Sequence, residues 1–78
     1  SRGLEIDVLF KSGRQLTGIE IKSSSTWNSS FKKALNRFST THQSLNGCYV
    51  AYNGENMEFS DGVEAINYKK IYELFLPT

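Results

Sequence analysis

The sequence predicts a small α+β fold, in which a small mixed sheet opens with an antiparallel hairpin and continues through a helix, a central strand, one or more short strands and a closing helix. Three features lead there. Apolar and polar residues alternate over residues 4–10 and again over 15–22, the two-residue period of half-buried strands. Phe31, Ala34, Leu35 and Phe38 fall at i, i+3, i+4 and i+7, the stripe of a helix packed on one side. Gly47–Tyr52 is almost continuously apolar and aromatic, as in a central strand covered on both faces.

In the first strand Leu4, Ile6, Val8 and Phe10 share one face, while Glu5, Asp7 and Leu9 share the other. Lys11-Ser12-Gly13-Arg14 carries turn chemistry, and beyond it Thr17, Ile19 and Ile21 oppose Leu16, Gly18, Glu20 and Lys22. A one-residue slip would turn the isoleucines away from the first strand's apolar set, so only even-numbered loops are allowed. A two-residue Ser12-Gly13 loop sets Glu5 opposite Glu20; a four-residue loop sets Asp7 opposite Glu20 and Glu5 opposite Lys22. In either register Glu5, Asp7, Glu20 and Lys22 share a face.

Residues 23–30 are Ser-rich and form a connector, with Asn28 as a helix N-cap. The helix that follows carries Lys33 and Arg37 away from its apolar stripe and frays near residues 39–41. Asn46-Gly47 and Asn53-Gly54 are turn signals, and residues 57–59 and 63–66 are short strands divided by Ser60-Asp61-Gly62. Asn67 caps a last helix with Ile71, Leu74 and Phe75 on its apolar face, and Pro77 closes it.

At 78 residues the chain is one domain. A core of that size supplies about 3–5 kcal/mol, so a domain this small often leans on a partner, a metal or a second copy of itself. The single Cys48 has no internal disulfide partner and sits in an apolar run, which predicts a buried thiol in a reducing compartment and a cytoplasmic origin. A formal charge of +1 excludes a strongly basic nucleic-acid binder, and any such contact would be local. No apolar stretch reaches the ~20 residues that span a bilayer, so no membrane partner is expected. The alternating run starts almost at the first residue, which reads as an excised C-terminal piece of a larger protein.

Three carboxylates and a lysine on one sheet face need an offset, because like charges directly opposite cost roughly 0.2–1 kcal/mol per pair. A divalent cation provides one: magnesium takes oxygen ligands and is commonly held by one or two carboxylates and several waters. Asp7 and Glu20 suit that role, and Lys22 could orient an attacking water or stabilise charge growing on a phosphoryl group. The same pattern also describes the solvated face of an amphipathic hairpin, with Glu5 and Lys22 as a surface pair.

The residues Glu5-Ile6-Asp7-Val8-Leu9-Phe10, then Gly13, then Ile19-Glu20-Ile21-Lys22-Ser23 resemble the PD-(D/E)XK nuclease signature, with the spacing Asp7-x12-Glu20-x-Lys22. More narrowly, Glu-Ile-Asp and Ile-Glu-Ile-Lys-Ser ahead of the Phe31 helix resemble the nuclease-like C-terminal domain of prokaryotic AAA-type ATPases. The resemblance implies Asp7 and Glu20 as ligands of Mg (or Mn), the Ile21 carbonyl as a further ligand, Lys22 as the catalytic lysine and Glu5 as a supporting group behind them. It implies metal-dependent phosphodiester hydrolysis on DNA or RNA. The alternative is a catalytically inactive docking or oligomerisation module, with an upstream ATPase domain in the same chain and a homo-oligomer as its partners. The chain departs from the superfamily in starting at the Asp strand: the helix and strand that normally come first are absent or lie upstream.

Lys33 and Arg37, with Lys32, could touch phosphates, which leaves room for a nucleic-acid-binding module without cleavage. His42 stands alone and receives no role; Trp27, Tyr49 and Tyr52 are read as packing groups, and Tyr68 and Tyr72 as a flank of the last helix. No Gly-rich phosphate loop, zinc pattern or Ser-His-Asp set is present in the sequence.

Overall fold

A computed structural model describes residues 6–42 and 44–76. The predicted hairpin forms from β1 (Val8–Ser12) and β2 (Gln15–Ile21), paired antiparallel from Val8↔Ile19 to Ser12↔Gln15. The turn is Gly13-Arg14, and Gly13 takes φ +63 while Arg14 does not turn positive, the arrangement of a II′ hairpin. The register is the one expected from a four-residue loop, but the ladder closes further and leaves a two-residue turn. Glycine tolerates the left-handed angle at no steric cost, which is why the turn settles there.

The first strand starts later than its alternation suggests. The chain bends at Asp7, and Ile6 packs with the Leu35 cluster instead of continuing the Val8 and Phe10 face. Leu4 and Glu5, read as part of this strand, lie outside the described residues.

Asn28 caps as predicted, its side chain accepting from Ser30 N at 2.8 Å, but the segment it opens is a 3₁₀ turn, Ser29–Lys32. That turn leads into α1 (Lys33–Thr41). The chain then returns through β3 (Gly47–Tyr52), β4 (Met57–Glu58) and β5 (Val63–Asn67). Together they make a five-stranded mixed sheet in the order β1-β2-β3-β5-β4, with β2, β3 and β5 parallel and β1 and β4 antiparallel at the edges.

The central strand β3 is covered on both sides. Val50 joins Leu35 of α1 and Val63 of β5 in one fully buried cluster, while Ala51 joins Ile19 and Ile66 in the other. α1 approaches β2 closely at Gly18, where a Cβ would stand 3.1 Å from methyl carbons of Leu35 and Leu45. Cys48, expected to be buried, is half-buried, and desolvation raises its thiol pKa, so less of it is thiolate at neutral pH.

The closing element, predicted as a helix, is a 3₁₀ helix, Tyr68–Phe75. Its apolar contacts explain the tighter winding: Tyr68, Ile71 and Leu74, three residues apart, all pack on the Ile19 cluster, and a three-residue turn keeps them in line. Phe75 is half exposed and packs at a tilt against Phe10 of the hairpin, ring centroids 4.7 Å apart. Pro77 lies outside the described residues. No helix among the described residues is long and apolar enough to cross a membrane.

Asn67 ties three segments together. Its side-chain oxygen accepts from Lys69 N at 2.9 Å, its amide donates to Gly54 O at 2.8 Å, and its backbone N–H donates to Asn56 Oδ1 at 2.9 Å. Asn67→Ala removes the cap and the tie to the β3–β4 turn together, and denaturant unfolding is expected to show a loss of about 1–2 kcal/mol.

Candidate metal centre

The end of β2 lies next to the bend at Asp7, and two backbone N–H groups hold the carboxylates there. In a continued antiparallel ladder Ile21 would pair with Ile6. Since the chain has bent away, Ile21 N–H donates to Asp7 Oδ2 at 2.8 Å, and Asp7 N–H donates to Glu20 Oε1 at 3.3 Å. This reciprocal clasp brings the two acids together without any glycine or proline at the bend.

Glu20 points to the α1 side of the sheet, on the same face as Gly18 and Lys22, and is only 7% exposed. Its second oxygen stands 3.6 Å from Lys22 Nζ. The lysine is partly exposed and runs over the Phe31 ring, its ammonium 5.8 Å from the centroid. Burial pushes the Glu20 carboxyl above its ordinary 4.5, and the charge of Asp7 pushes the same way; the Asp7 N–H and the Lys22 ammonium offset only part of this.

A raised carboxyl pKa means that ionising Glu20 works against the fold. Stability should fall as pH rises from the ordinary 4.5 through the raised value, because over that range the native state binds more protons than the unfolded one. Metal-free Glu20→Gln, which keeps an acceptor for Asp7 N–H, is therefore expected to melt about 2–4 °C above wild type at pH 7, from ~0.5 kcal/mol of relieved like-charge repulsion. Below the ordinary 4.5 the advantage should vanish. A Glu20→Gln protein that melts lower at pH 7 would contradict this balance.

Asp7 and Glu20 present carboxylate oxygens with lone pairs beyond those engaged by the two N–H groups. The Ile21 carbonyl points to the same edge as its N–H, toward Asp7, because both groups of one strand residue face one neighbour. The donors are all oxygen, which suits magnesium, a cation commonly held by one or two carboxylates and water. Among the described residues no cluster of three or more His, Cys, Asp or Glu side chains forms. Glu5, the third acid expected on this face, lies outside the described residues.

Other sequence-predicted residues stand apart from this group. Lys33 and Arg37 are exposed, one turn apart on α1. Lys32 is engaged, its ammonium 2.9 Å from Asp61 Oδ2 and 4.3 Å from the Phe59 ring centroid, so it is not a free phosphate contact. Trp27 packs between Phe31, Tyr52 and Phe59 at centroid distances of 5.4, 5.4 and 4.9 Å, a packing role as expected. His42 is exposed and stacks on Phe38 at 4.8 Å.

Two residues near the centre were not foreseen. Phe31, read as core, also carries the Lys22 ammonium. Tyr68, read as a helix flank, donates its hydroxyl to the Lys22 carbonyl across 46 positions of sequence, a separation at which no local pattern announces a contact.

Fold and site thus define a small α+β domain with an acid pair and a lysine at the end of its second strand. The chain matches, over residues 1–71, the family described as Domain of unknown function (DUF4143), and it belongs to that family. No curated protein and no solved structure matches it.

Proposed function

We propose that Asp7, Glu20 and Lys22 form a divalent-cation-dependent phosphodiesterase site of PD-(D/E)XK type, acting on DNA or RNA. The observation that carries this reading is the clasp of Asp7 and Glu20 with Lys22 Nζ 3.6 Å from Glu20. Like charges are held close, one of them in a buried position, at a cost to the fold that a cation would offset. A bound magnesium or manganese ion would supply an acidified water and neutralise charge on the phosphoryl oxygens. Asp7 and Glu20 would hold it, with the Ile21 carbonyl beside them. Lys22, steadied over Phe31, would place positive charge where negative charge develops on the phosphate. Lys33 and Arg37 would contribute exposed contacts to the nucleic-acid backbone.

The test is a magnesium and manganese titration of the wild-type domain followed by NMR. Saturable shifts at the Asp7, Glu20 and Ile21 signals, with manganese broadening the same signals, are expected. Titrations that leave these signals unmoved would remove the proposal.

A second reading draws on the exposed apolar surface of the closing 3₁₀ helix and the residue after it, where Tyr72, Phe75 and Leu76 are 57%, 53% and 56% exposed. Phe75 and Leu76 also line a groove of about 420 Å³ with Phe10, Lys11, Ser12 and Leu74. Under this reading the domain is a catalytically inactive module docked on an upstream ATPase domain of the same chain. It predicts no response of Asp7 and Glu20 to magnesium.

A further inference from the structure

Where β2 ends, the backbone of Lys22 is held at both its N–H and its carbonyl. Its N–H donates to Ala51 O at 2.9 Å, the last bond of the parallel β2–β3 ladder. In a continued ladder its carbonyl would accept from Asn53 N–H, but that group donates to Ser24 O at 2.8 Å. The Lys22 carbonyl therefore loses its strand partner two residues from Glu20. Two donors take that place: Ser24 N–H at 3.0 Å, and the part-buried hydroxyl of Tyr68, whose ring packs on the cluster of Ile19, Ala51 and Ile66.

The anchor comes from the opposite side of the sheet. Glu20 and the Lys22 side chain lie on the α1 face, and Tyr68 reaches the Lys22 backbone from the face covered by the closing 3₁₀ helix. Ala51, fully buried and standing level with Ile21 and Ile66 in the neighbouring strands, is small enough for a ring to lie against its row. Asn67, in register with Tyr52, fixes where the 3₁₀ helix starts and hence where Tyr68 enters. Without the hydroxyl only Ser24 N–H, two residues on in the same connector, would hold this carbonyl; the strand end would lose its tie to the sheet's other face, and Ile21, whose N–H holds Asp7, would move with it.

We infer that Tyr68 is a positioning residue of the candidate metal centre: its hydroxyl fixes the Ile21-Lys22 backbone, through which it aligns Asp7, Glu20 and the lysine. It touches none of the groups that would hold a cation. The inference rests on the reading of Asp7 and Glu20 as cation ligands.

Tyr68→Phe removes the hydroxyl and leaves the packing ring, and Tyr72→Phe, on an exposed ring, is the control. In the metal-free proteins Tyr68→Phe is expected to move the Ile21 and Lys22 amide signals, and Tyr72→Phe to leave them in place. Magnesium affinity, measured at a temperature where each variant is fully folded, should fall about three- to tenfold for Tyr68→Phe, the range one hydrogen bond commands, and stay unchanged for Tyr72→Phe. Tyr68→Phe that lowers only the melting temperature, with the amide signals or the affinity unmoved, overturns the inference. Should the wild type take up no magnesium, the cation reading fails alone, and the metal-free amide signals still decide whether Tyr68 fixes this backbone. Should Tyr68→Phe fail to fold, the wild type decides: a slowly exchanging Tyr68 hydroxyl proton with cross-peaks to residues 22 and 23 supports the anchor, and its absence overturns it.

Discussion

Glu20→Ala is expected to abolish measurable magnesium binding while leaving the domain folded. Replacing residues that only support a ligand costs about 10–100-fold in metal affinity. Removing one of two ligand carboxylates should cost about a hundredfold or more on that scale. The fold is expected to survive because Glu20, buried beside Asp7 with its pKa raised, is not a group whose ionised form stabilises the native state. Calorimetric titration of wild type and variant, with circular dichroism to establish folding, makes the comparison. An affinity within a factor of about three of wild type, the scale of one weak hydrogen bond, would mean that the acid pair holds no cation. Loss of structure in Glu20→Ala would instead make Glu20 a structural group, against the pH dependence expected of Glu20→Gln.

Leu35→Ala is expected to unfold most of the population at room temperature. Leu35 is the only buried residue of α1 and is fully inaccessible, packed on Val50 and Val63. Truncations at such sites cost about 2–5 kcal/mol, from lost transfer energy and the cavity left behind. A domain of this size has about 3–5 kcal/mol to lose. The effect should be read by far-ultraviolet circular dichroism, and a cooperative transition within ~1 kcal/mol of wild type would show that α1 is not what closes this face of the sheet. Magnesium, if bound by the native state alone, should restore part of the signal in proportion to the logarithm of its concentration.

The hairpin and the acid pair were legible in the sequence for a local reason. Alternation over residues 15–22 fixes which side chains of β2 share a face, and face-sharing sets the allowed registers; Gly13 then selects one of them by accepting a positive φ. Asn28 and Asn67 as caps, and the stripe around Leu35, were equally local. Alternation sets Ile6 with Val8 and Phe10 because it assumes an unbroken strand, and nothing in Glu-Ile-Asp announces a bend. The bend is stabilised by bonds to Glu20 and Ile21, thirteen and fourteen positions away. In the last element Ile71, Leu74 and Phe75 fit the stripe of an ordinary helix; its tighter winding follows from Tyr68 joining Ile71 and Leu74 on the Ile19 cluster.

By itself, then, the sequence determined the element order, the α+β class and the identity of the acids and lysine that gather at the end of the second strand. Those are consequences of periodicity and turn chemistry, which act between near neighbours in the chain. Tertiary structure alone decided the strand order β1-β2-β3-β5-β4, the clasp of Asp7 with Glu20, the seating of Lys22 over Phe31 and its anchoring by Tyr68. Each of these joins groups that meet only when the sheet closes, and no pattern within a single segment encodes which distant backbone or side-chain groups will meet there.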